Sequence, residues 1–159
     1  MSAIHVGIGD LCVSGNAADV IKTFALGSCV AIIAYDKVNN IAGMMHVALP
    51  ESAINPEKAQ EKPGYFADTG MPAFIEALKK ASAVRTFLAI KLAGGSNIMD
   101  AAGRFDIGKR NVLAIRKLLW KNGLGPVAED VGGSAPRTVT ISVASGEVTV
   151  SSADKQWTL

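Results

Sequence analysis

The sequence predicts an α+β fold, because apolar strand-like runs that can pair as hairpins stand towards both ends and two amphipathic helical patterns lie between them. The first hairpin joins residues 29–35, apolar and partly β-branched, to residues 41–47 through a polar turn over 36–40. Both runs are apolar at consecutive positions, which predicts strands buried on both faces. Residues 50–63 are polar and carry Pro50, Pro56 and Pro63, and they read as an irregular surface excursion. From Asp68 onward Met71, Phe74, Ile75 and Leu78 recur at i, i+3, i+4 and i+7, while Glu76, Lys79 and Lys80 fall elsewhere on the wheel. That spacing predicts an amphipathic helix. Residues 86–92 read as a strand ending in the turn-prone Ala93-Gly94-Gly95-Ser96-Asn97.

A second helix is predicted over about 108–121, with Asp106 near its start, Val112, Ile115, Leu118 and Leu119 as its apolar stripe, and Gly123 as its stop. In the last third Val139, Ile141 and Val143 alternate with Thr138, Thr140 and Ser142, and Ala144-Ser145-Gly146 turns into a partner strand over 147–151. The pattern fits a single domain over 1–159 in which mixed or antiparallel sheet layers are flanked by helices, and it fits a doubly wound βαβ fold less well.

Composition narrows the function. Sixteen Lys and Arg against fourteen Asp and Glu leave a net charge of +2 in 159 residues, too small and too dispersed for a nucleic-acid footprint. No uncharged run approaches the ~20 apolar residues of a spanning helix, and the first residues lack a basic segment followed by an apolar one. The expectation is a cytoplasmic chain without membrane insertion, in which Cys12 and Cys29 are free thiols.

Cys29 follows Gly27 and Ser28 and precedes an apolar run, a setting in which a turn can bring amide N–H groups towards whatever the sulfur attacks. His46 stands one hairpin's length away and can supply the base that a thiol needs. Spacing alone leaves Cys29 either a nucleophile or a buried core thiol. Gly94-Gly95 either lines an active site or makes a tight turn. A metal at Cys29 and His46 lacks a further ligand, Gly7-x-Gly9 lacks the third glycine of a dinucleotide fingerprint, and no G-x-S-x-G element occurs. Cys12, His5, Lys91 and Arg110 have no setting that asks for chemistry, and Trp157 reads as a packing anchor.

The segment Thr23-Phe24-Ala25-Leu26-Gly27-Ser28-Cys29-Val30, followed by His46-Val47-Ala48-Leu49-Pro50, resembles the chemoreceptor glutamine deamidases of the CheD family. The likeness continues through Tyr65-Phe66-Ala67-Asp68, Lys91-Leu92-Ala93-Gly94-Gly95, Ile107-Gly108-Lys109-Arg110-Asn111, Asp130-Val131-Gly132-Gly133 and Arg137, and so covers about 4–150. It implies a cysteine hydrolase with Cys29, His46 and Thr23 as its catalytic triad, an active-site loop that includes Gly27, Ser28, Gly94 and Gly95, and no cofactor. The fold it implies stacks β-sheet layers with helices outside and is related to glutamine-deamidating toxins. The reaction it implies converts glutamine to glutamate, with release of ammonia, on cytoplasmic helices of methyl-accepting chemotaxis receptors, with methylesterase action as a side reaction. It also implies a CheC-like phosphatase as a partner at the substrate surface; the alternative is a regulatory module that docks on receptor or phosphatase without turnover. Two stretches depart from the family pattern, Ser96-Asn97 and Thr69-Gly70-Met71-Pro72, and the second implies a helix that starts later than in relatives, with Pro72 in its first turn.

Overall fold

The structure is a computed structural model that describes residues 2–98 and 105–159. Among those residues the chain forms two five-stranded sheets and three α-helices. The first sheet runs in the order β1 (Ser2–His5), β3 (Asp19–Leu26), β8 (Arg137–Ser142), β9 (Val148–Ser152) and β10 (Lys155–Thr158). The second runs β2 (Leu11–Ser14), β5 (Ile41–Val47), β4 (Val30–Asp36), β6 (Leu88–Gly94) and β7 (Pro126–Val131). Each is mixed: β1 pairs parallel with β3 and β6 with β7, and the remaining neighbours are antiparallel.

Hairpin β4–β5 is central to the second sheet, and every position along both strands is buried. The reason is that the sheet is covered on both sides. Ala31, Ile33 and Tyr35 of β4, with Ala42 and Met44 of β5, face the first sheet, where they meet Ile21, Leu26, Val139, Ile141 and Val150. Val30, Ile32 and Ala34 face the other way, onto helices α2 (Ala67–Lys80) and α3 (Ile107–Lys121). The stripes Met71-Phe74-Leu78 and Val112-Ile115-Leu119 close that second core layer, each large side chain contributing about 1.5–3 kcal/mol by leaving water. The α+β expectation therefore holds, with the layers stacked sheet on sheet on helices.

Two expectations are corrected. Residues 50–63 are not wholly irregular: they hold a short helix α1 (Pro56–Glu61) between 3₁₀ turns at Ser52–Ile54 and Pro63–Tyr65. Asn55 caps α1 by accepting the Lys58 amide at 3.1 Å, and Pro56 occupies the first turn, where its missing N–H costs nothing. Helix α2 does not begin late, because it starts at Ala67 and carries Pro72 in its interior. The proline removes the hydrogen bond that the Asp68 carbonyl would receive; separately, the Asp68 carboxylate accepts from the Ser52 amide and hydroxyl at 2.9–3.1 Å. No helix among the described residues is long and apolar enough to cross a membrane.

Candidate active site

Strands from both sheets meet around His46. On β5 it shares the inter-sheet face of Ala42 and Met44, and its backbone is clamped by the β1–β2 connection, with His46 N donating to Asp10 O at 3.0 Å and Gly9 N to His46 O at 2.8 Å. Thr23, fully buried on β3 of the opposite sheet, brings its Oγ1 to 2.8 Å from His46 Nδ1. The same hydroxyl donates to Val6 O at 2.7 Å. A threonine hydroxyl has one proton, and a carbonyl can only accept, so the Val6 bond consumes it. The contact with the ring therefore runs the other way, from Nδ1–H to Oγ1. Neutral His46 consequently carries its proton on Nδ1, and the lone pair sits on Nε2, which is buried without a hydrogen-bond partner among the described residues.

Cys29 lies just before β4. Ala31 is the register partner of His46, and Cys29, two residues earlier and packed against the same inter-sheet cluster, is its diagonal neighbour. Diagonal neighbours stand roughly 7–8 Å apart at Cα, within reach of long side chains. Burial pushes the Cys29 thiol above its ordinary range, and only its own backbone amide pulls the other way. Burial likewise pushes the His46 imidazole below its ordinary range, partly offset by the Val6 carbonyl and the Asp10 carboxylate and reinforced by His5. Both shifts favour the uncharged forms, thiol and imidazole, over thiolate and imidazolium.

The turn that carries the thiol is held from behind. Ser96 N donates to Gly27 O at 2.9 Å and Gly95 N to Cys29 O at 2.8 Å. Between them, Asn111 Nδ2 donates to Ser28 O at 3.0 Å and also to Ala48 O at 3.0 Å, just beyond β5. With all three carbonyls turned towards β6 and α3, the amide N–H groups of Ser28 and Cys29 donate to no carbonyl or side chain of another described residue.

Gly94 lies against this turn so closely that a Cβ would stand 2.3 Å from Cys29 O, and its φ of +112° suits glycine alone. A Cβ on Gly108, at the start of α3, would stand 2.3 Å from Gly95 O. Gly94 and Gly95 thus back the Cys29 turn, while Ser28 and Gly95 also border a cleft of about 240 Å³ at the start of α3. Arg137, buried although charged, donates to Gly94 O at 3.1 Å and pairs with Asp130 at 3.0 Å, so that β8 of the first sheet braces the same corner.

The resemblance named Thr23, Cys29 and His46; the structure joins Thr23 to His46 by a hydrogen bond between the two sheets and packs Cys29 against the same inter-sheet core. Sequence reasoning missed the supporting role of Asn111 and assigned none to Arg137. A buried polar residue inside a helical apolar pattern was the available signal for Asn111. The remaining candidates lie elsewhere. Cys12 faces the inter-sheet core from β2, His5 sits edge-on to Phe24, and Trp157 donates its indole N–H to Asp130.

Comparison with known proteins gives a consistent pattern. The family model described as CheD chemotactic sensory transduction matches residues 48–152. A protein of Syntrophotalea carbinolica named probable chemoreceptor glutamine deamidase CheD is 47% identical over 160 residues, covering 99% of each chain. One of Anaeromyxobacter dehalogenans, named probable chemoreceptor glutamine deamidase CheD 2, is 46% identical over 155 residues, covering 98% of each. A third, from Methanococcus vannielii, is 42% identical over 148 residues, with 92% of this chain and 93% of that one covered. Among solved structures, the hypothetical protein YfiH of Bacillus licheniformis overlaps 76% of this chain and 49% of its own at a TM-score of 0.47 and 10% identity.

Proposed function

The chain belongs to the CheD family, and from that membership we propose that it is a protein-glutamine deamidase, one domain over 1–159 that hydrolyses glutamine side chains on the cytoplasmic helices of chemoreceptors. The observation that carries the reading to these residues is the Thr23–His46 hydrogen bond, which leaves Nε2 as the free base on the face where Cys29 lies.

In this mechanism His46 Nε2 takes the Cys29 proton as sulfur attacks the carboxamide carbon, and a C–S bond forms. Burial raises the thiol and lowers the imidazole, so the nucleophilic thiolate has to be generated by this proton transfer. Charge gathers on the carboxamide oxygen, where the uncommitted N–H groups of Ser28 and Cys29 are the donors. A donor of this kind is worth ~3 kcal/mol in the transition state. Imidazolium then returns its proton to the leaving nitrogen, ammonia departs, and a thioester remains. Water, activated by the again neutral His46, attacks the thioester carbon and releases glutamate and the thiol.

Thr23 accepts from Nδ1–H throughout and holds the ring in this tautomer. As a neutral acceptor it stabilises imidazolium less than a carboxylate would, so turnover is modest. A glutamate methyl ester enters the same thioester route with methanol as leaving group, which makes methylesterase action the side reaction. A CheC-like phosphatase, where the cell has one, would compete for this surface.

The test incubates a receptor cytoplasmic fragment with the protein and with Cys29→Ala, following ammonia and the mass of each glutamine peptide. A gain of one mass unit at specific glutamines, with equimolar ammonia, is expected only from the intact thiol. Conversion that survives Cys29→Ala, or receptor binding without any conversion by the intact protein, refutes the reading.

A further inference from the structure

Asn111 is the fifth residue of α3 and is fully buried. Asparagine is a poor residue for a helix interior, and an amide in an apolar layer is costly unless its polar atoms are used. Here only the donors are used. Nδ2 gives its hydrogens to Ser28 O and Ala48 O, each at 3.0 Å, while Oδ1 has no partner among the described residues. The reversed amide would set an oxygen against two carbonyl oxygens, so the position demands a two-hydrogen donor.

Those acceptors are not arbitrary. Ser28 O belongs to the peptide unit whose nitrogen is that of Cys29. The unit is planar and trans, so its C=O and N–H point in opposite directions, and fixing one fixes the other. Ala48 lies two residues after His46. One side chain therefore ties the nucleophile turn to the exit of the strand that holds the base.

We propose that Asn111 is a positioning residue that locks the Ser28–Cys29 peptide so that Cys29 N–H faces the reacting carbonyl oxygen, and that holds the turn at a fixed distance from the His46 strand. This rests on the deamidase reading above, in which that amide stabilises the oxyanion. Without the lock, the peptide is free to rotate and its donor is lost, while the thiol and His46 remain.

The test compares two reactions of Cys29 in the full chain, each followed by mass spectrometry of its own peptide so that Cys12 does not interfere. Acylation by p-nitrophenyl acetate passes through an oxyanion as the S–C bond forms and p-nitrophenolate leaves; alkylation by iodoacetamide forms an S–C bond with loss of iodide and no oxyanion. In Asn111→Ala the acylation rate is expected to fall roughly 100-fold, as for loss of one such donor, with alkylation within about threefold of wild type. Asn111→Leu, close in size and shape, uncharged and without the two hydrogens, is expected to do the same and serves where the alanine variant leaves a cavity and does not fold. An unchanged ratio of the two rates overturns the assignment, as does a parallel fall of both, which would mark a merely structural role. The deamidase reading is judged separately, by ammonia release from wild type on the receptor fragment.

Discussion

Replacing Thr23 by valine keeps the shape of the side chain and deletes the hydroxyl, and with it two buried hydrogen bonds, to Val6 O at 2.7 Å and from His46 Nδ1 at 2.8 Å. Leaving Nδ1–H without an acceptor inside the sheet sandwich costs about 1–3 kcal/mol. With that acceptor gone the Nδ1–H tautomer loses its advantage, and a proton that shifts to Nε2 places the lone pair on the side away from the inferred nucleophile. Since ~1.4 kcal/mol is tenfold, the working tautomer becomes roughly 5- to 150-fold rarer, and kcat/KM for ammonia release should fall by that factor. The orphaned Val6 carbonyl adds a stability cost of about 1–3 kcal/mol, read as a lower urea midpoint. Thr23→Ser retains donor and acceptor and should stay within about threefold of wild type in activity. The assay is initial-rate ammonia release from the receptor fragment at several concentrations, with folding checked at the same temperature. A valine variant within twofold of wild type, or a serine variant no better than valine, refutes the assignment of Thr23 as the partner that fixes the ring.

The pH profile of kcat/KM follows from the same site. His46 must be neutral to act, and burial holds its pKa below the ordinary 6.5, so the acid limb should fall below 6.5, while the raised Cys29 keeps the rate level past its ordinary 9.0. An acid limb centred above 6.5 would contradict this. The same shifts act on folding: the unfolded chain protonates His46 first, so its effect is a loss of stability as pH falls below 6.5, and it ionises Cys29 first, so a second loss begins as pH rises past 9.0. Urea midpoints taken across this range on wild type and on Cys29→Ala should show the alkaline loss diminished in the variant. Gly94→Ala forces a Cβ to within 2.3 Å of Cys29 O at a φ of +112°, so either the turn moves or the strand does. Backbone strain of this kind costs about 1–3 kcal/mol before the clash is counted, and thermal unfolding should show a clear drop in Tm together with loss of ammonia release.

Much of this architecture was visible along the chain. The runs at 29–35 and 41–47 announced central strands because a strand covered on both faces has no polar alternation to keep, and β4 and β5 are buried at every position. The stripes of α2 and α3 announced helices with one buried side. Strands β1, β2 and β10 gave no such signal: they are four residues each, too short for a period, and β2 is only half-buried along its length. Helix α1 was hidden by its own cap, since Asn55-Pro56 reads equally as a turn.

Residue identity and order alone determined the α+β class and the doubly buried hairpin, because these rest on local periodicity, while the resemblance to the CheD family supplied Thr23, Cys29 and His46 as candidates. Tertiary structure alone decided which ring nitrogen of His46 is free, since that depends on a hydroxyl from the other sheet and on the Val6 carbonyl that claims its proton. It likewise decided what supports the Cys29 turn: Asn111 reaches Ser28 across 83 positions and Ala48 across 63, and Arg137 reaches Gly94 across 43. Hydrogen bonds over such separations leave no pattern in the chain, because their partners become neighbours only when both sheets and α3 have closed on one another.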